Sequence, residues 1–80
     1  MTKDRILELT EDFNTKIYFL DPMLDKAIIG LSSENKVVYS FDKMVEIFSK
    51  KMTEEEAIEH IDINIIGTIN ENSPIIVYEE

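Results

Sequence analysis

No uninterrupted apolar run in this sequence exceeds four residues, and Ile17-Tyr18-Phe19-Leu20 and Ile75-Ile76-Val77-Tyr78 are the longest. A bilayer-spanning helix needs about 20 consecutive apolar residues, so no membrane segment is expected. The start, Met1-Thr2-Lys3-Asp4-Arg5, passes to Ile6-Leu7 and then to acids, which predicts no secretory signal. Runs this short suit amphipathic helices and short strands around one core. A length of 80 residues gives room for a single domain, residues 1 to 80, and none for a cleft between two lobes. At about 0.05 to 0.15 kcal/mol per residue, total stability is roughly 4 to 12 kcal/mol, and a deep catalytic pocket would consume much of it.

Hydrophobic residues make up 44% of the chain with only two Gly and two Pro, a folding composition and not a disordered one. The absence of cysteine excludes a disulfide framework, a thiolate zinc site, an iron–sulfur cluster and a Cys nucleophile, and it fits a reducing cytoplasm. Acids outnumber bases 17 to 8, for a formal charge of −9. Phosphate binding depends on clustered Lys or Arg. Here the bases are scattered, and their only adjacent pair, Lys50-Lys51, is followed by Glu54-Glu55-Glu56. Direct binding to nucleic acid or to a membrane surface is therefore not expected.

Ile6, Leu7, Leu9 and Phe13 predict a helix over residues 2 to 12, with Thr2 as its cap. The aromatic and β-branched run Ile17-Tyr18-Phe19-Leu20 predicts a short strand that Asp21-Pro22 ends. Ala27-Ile28-Ile29-Gly30-Leu31 and Lys36-Val37-Val38-Tyr39 flank the polar turn Ser32-Ser33-Glu34-Asn35 and read as a β-hairpin. Asn35 suits a positive φ, and Gly30 marks a bulge or a close approach by a neighbour such as Tyr39. Ser40 caps a helix whose stripe is Phe41, Met44, Val45 and Phe48, with Lys50-Lys51 in its last turn. Thr53-Glu54-Glu55-Glu56 matches a capping box and opens a second helix through Ala57, Ile58, Ile61, Ile65 and Ile69, with Gly67 as its stop. A loop at residues 70 to 74 leads to a strand at residues 75 to 78 that needs a sheet to join.

Few of these residues carry chemistry. Within the densest group of potential metal ligands, Glu54-Glu55-Glu56 with Glu59, His60 and Asp62, Glu56 and His60 lie at i, i+4 on one helical face, but two ligands are fewer than a zinc site requires. His60 is the only histidine, no serine sits in a nucleophile elbow, and neither a phosphate-binding loop nor a dinucleotide fingerprint occurs. No enzyme activity and no cofactor are expected. The informative residue is apolar. With Ile58, Ile61, Ile65 and Ile69 on the core, a step of about 100° per residue puts Ile66 on the flank and Ile63 nearly opposite.

Ala27 to Leu31, Val38-Tyr39, Lys43-Met44-Val45-Glu46, Met52-Thr53-Glu54-Glu55-Glu56-Ala57-Ile58-Glu59 and Ile61-Asp62-Ile63-Asn64 together resemble a family of small uncharacterised bacterial and bacteriophage-type proteins. That family carries a strand-turn-strand, a Met-Val-Glu helix and a Met-Thr-Glu-Glu-Glu-Ala helix. The resemblance covers roughly residues 21 to 78 and departs at Ile63, where the family pattern has an aromatic. It implies the same fold layout and a bacterial or phage setting, and it brings no activity with it.

The expected architecture is α+β in the order α-β-β-β-α-α-β, with a three- to four-stranded antiparallel or mixed sheet and helices on one face. The expected function is a non-enzymatic cytoplasmic protein-interaction module. Its partner is another protein or a second copy of the chain, met through the sheet edge or through Ile63, Ile66, Glu55 and Glu59. The first alternative is an acidic inhibitor or nucleic-acid mimic of phage type. The second is a weak divalent-cation-responsive domain built on Glu56 and His60.

Overall fold

Strand β2, Val37–Ser40, organises the molecule: it pairs antiparallel with β1, Ile28–Leu31, on one side and parallel with β3, Ile75–Val77, on the other. The computed structural model describes residues 1 to 12, 16 to 71 and 73 to 79. A parallel neighbour cannot be reached by a tight turn. The crossover from β2 to β3 is made by two helices, α2, Phe41–Phe48, and α3, Glu54–Asn64. Helix α1, Lys3–Thr10, precedes the hairpin, and 3-10 turns occupy Pro22–Ala27 and Ile66–Thr68. The chain is thus α+β with a three-stranded mixed sheet, and no helix among the described residues is long and apolar enough to cross a membrane.

The hairpin turns where its sequence allows. Asn35 has φ 64°, the one non-glycine residue described in the left-handed region, and Ser32 accepts the Asn35 N–H. The register slips between Ile28 and Gly30, which is the expected bulge. Ile28 and Leu31 are three apart, so a regular strand would send them to opposite faces. The extra residue lets both face the core, opposite Tyr39 and Val37. The alternative role for Gly30 is not found: a Cβ there would meet nothing within 4 Å, so Tyr39 makes no close approach.

On β2, Val37 and Tyr39 are fully buried, and Ile76 joins them from β3. Phe41, Met44 and Phe48 of α2, Ala57 and Ile61 of α3, Ile6 of α1 and Leu24 and Ala27 of the first 3-10 turn join them in the core. Val38, Ile75 and Val77 alternate to the other face and are only half-buried.

Four sequence expectations are corrected. Ile17 to Leu20 forms no strand; Ile17, Phe19 and Leu20 pack on the core, and the Leu20 N–H donates 2.9 Å to the Tyr39 hydroxyl instead of to a ladder. The α1 face is Ile6 with Thr10, whose hydroxyl donates to the Ile6 carbonyl, while Leu7 and Leu9 face solvent. Phe13 lies outside the described residues. Helix α2 stops at Phe48, so Lys50 and Lys51 follow it and are not in its last turn. Helix α3 ends at Asn64, before Gly67, and the break in its 3.6-residue period leaves Ile69 exposed.

Candidate interaction surface

Helix α3 starts where its cap dictates. The Thr53 hydroxyl oxygen accepts the Glu56 N–H at 3.2 Å, and Glu56 Oε1 accepts the Thr53 N–H at 3.2 Å and the Thr53 hydroxyl at 2.9 Å. Three glutamates in the first turn also meet the positive end of the helix dipole. Burial of Ala57 and Ile61 sets the helix rotation. At about 100° per residue the outward direction then falls to Glu55, Glu56, Glu59 and Ile63. Ile63 is 62% exposed although Ile61, two residues earlier, is fully buried. Ile66 is half-buried on the flank and packs against the core, so it adds little to this face.

The charge around Ile63 is of one sign. Residues Glu54–Asn64 include five carboxylates, Glu54, Glu55, Glu56, Glu59 and Asp62, and no Lys or Arg. Among the described residues the ion pairs are Arg5 with Glu8 and Lys36 with Glu34, so these carboxylates are not neutralised from within.

Glu56 and His60 do share a side of the helix, but each is otherwise engaged. Glu56 is committed to the cap. The half-buried His60 ring meets Phe48 edge-on at 4.8 Å between centroids, with Nδ1 3.2 Å from the Asn64 side-chain amide. No third ligand joins them: among the described residues no group of three or more His, Cys, Asp or Glu could hold a metal ion.

A second surface was not visible from sequence. Beside α2 lies an open groove of about 730 Å³ with an apolar floor of Phe41, Val45 and Ile58. Asp42, Glu46, Glu54 and Glu79 line it, together with Lys43 and Lys50. Ser40, just before α2, holds one of these carboxylates. Its buried hydroxyl caps α2 by accepting the Lys43 N–H at 3.2 Å and donates a hydrogen bond to the Glu79 carboxylate. Next to it the rings of Phe41 and Tyr78 lie 4.6 Å apart, tilted by 44°. These contacts fix the segment that follows β3 against the start of α2.

No family model, no curated protein and no solved structure matches the chain. The family resemblance accordingly rests on its residues alone.

Proposed function

We propose that the protein is a non-enzymatic interaction module that docks a basic protein surface through the outward face of α3. The observation that carries this reading is Ile63, an apolar side chain 62% exposed amid Glu55, Glu56, Glu59 and Asp62. An apolar anchor at the end of a row of like charge suits a partner that offers an apolar recess with Lys or Arg along one side. A second copy of the chain is a poorer fit, because apposed α3 faces would bring four carboxylates against four. The lack of cysteine supports a reducing, cytoplasmic setting, and the sequence resemblance favours a bacterial or phage source.

The test is Ile63→Glu. The substitution leaves thermal stability nearly unchanged, because the side chain is already in water. A protein recovered by the wild type and lost by the variant, basic at its contact surface and released by salt, supports the reading. Retention by Ile63→Glu, or unfolding of that variant, refutes it. A dimer dissolved by the substitution would replace the basic partner with a second copy.

A further inference from the structure

We infer that the groove beside α2 is a separate recognition site, for a short segment of a partner that carries large apolar side chains flanked by Lys or Arg. Its floor and its charge each point to such a segment. Phe41, Val45 and Ile58 present apolar surface from two helices at the bottom of the groove. Its volume lies within the range of about 300 to 1,000 Å³ in which concave sites bind ligands.

The rim selects the charge. Four carboxylates, Asp42, Glu46, Glu54 and Glu79, face two lysines. Asp42, Glu46 and Glu54 make no ion pair among the described residues, so their field is available to a ligand. Lys43 and Lys50 also line the neighbouring depression, with Lys26, Glu46 and Ile47; Lys43 lies on α2 and Lys50 beyond its end. Turning around α2 from the core in steps of about 100° meets Val45, then Asp42, then Glu46, and only then Lys43. On α2 the two acids therefore stand nearer Val45 than Lys43 does. A cationic segment can set its apolar side chains on the floor and its charges on the acids, which outnumber the lysines of the lining.

This site is distinct from the outward face of α3. Ile58 and Ile63 are five residues apart and point about 140° away from one another around the helix axis. The two surfaces can be tested apart.

The probe is a ten-residue peptide with two leucines four positions apart, flanked by arginine and lysine. Its control is the same peptide with serine in place of leucine, at unchanged charge. Each is titrated into the isotopically labelled full-length chain and followed by amide chemical shifts. The leucine peptide is expected to saturate, with shifts confined to α2, the first two turns of α3 and residues 77 to 79. The serine peptide should bind at least about tenfold more weakly, since each leucine buries apolar surface. Glu46→Lys with Glu54→Lys should weaken the leucine peptide about tenfold or more, whereas Glu11→Lys with Glu34→Lys, the same charge change away from the groove, should alter it less than about twofold. Ile63→Glu should leave it unchanged. Equal binding of the two peptides, equal effects of the two charge variants, shifts spread over all acidic surfaces, or loss of binding in Ile63→Glu would each overturn the assignment.

Discussion

Tyr39 shows how one side chain can serve both sheet and core. It is fully buried on the central strand, and its hydroxyl accepts the Leu20 N–H at 2.9 Å. Burial pushes its pKa above the ordinary tyrosine value; the Leu20 N–H opposes the shift, and the charge of Asp25 adds to it. The unfolded chain loses this proton near pH 10 while the native one retains it. The resulting stability is complete below about pH 10 and is lost as pH rises toward the folded value. Tyr39→Phe removes the hydrogen bond and should cost about 1 kcal/mol at neutral pH. Urea denaturation of both proteins between neutral pH and pH 11 should show that gap narrowing above pH 10, and parallel profiles would contradict the account. The sequence pattern identified Tyr39 as a strand residue but not the partner of its hydroxyl, because Leu20 reaches it only through tertiary packing. For the same reason Ile17 to Leu20 has the composition of a strand and yet joins none.

At the scale of elements, features set by neighbouring residues were readable. The positive φ of Asn35, the Ser40 cap and the Thr53–Glu56 capping box each depend on contacts within four residues, and each is present. Helical period puts Ile63 opposite the core side of α3, but not whether another segment covers it; its exposure is a matter of tertiary packing. Helix ends and the groove were not readable. Helix α3 ends at Asn64, three residues before the glycine that suggests a stop, and the groove joins residues of α2, α3 and the segment after β3 that no sequence spacing relates. The bulge in β1 lies between these cases: Gly30 signals it, but not its purpose of turning Ile28 and Leu31 to one face. Gly30 has neither a positive φ nor a neighbour that a methyl group would strike. Gly30→Ala should therefore stabilise the fold, by up to about 1 kcal/mol, through the less flexible unfolded chain. Calorimetry should show a melting temperature a few degrees higher. A fall of several degrees would mean that the bulge needs glycine.

The whole molecule has more surface than its mass requires. It exposes 5548 Å² where about 5000 Å² is usual for a monomer of this size, and it extends 41 × 23 × 22 Å. Spread over that surface, a charge of −9 repels itself. At 0.01 M salt the screening length is about 30 Å, longer than the two shorter axes, and at 0.15 M it is about 8 Å. Raising NaCl over that range should raise the melting temperature, since the ion pairs described, Arg5 with Glu8 and Lys36 with Glu34, are solvated and contribute little. A melting temperature that falls with salt would show that attractive pairs outweigh the repulsion. The parallel pairing of β2 with β3 has a different consequence, in the order of synthesis. Strand β2 gains its β1 neighbour as soon as the hairpin is made, but its other edge stays open until residues 75 to 77 emerge, more than thirty residues later. During translation the strand at the centre of the finished sheet is an edge strand, so the nascent chain passes through a state in which it can pair with the wrong neighbour.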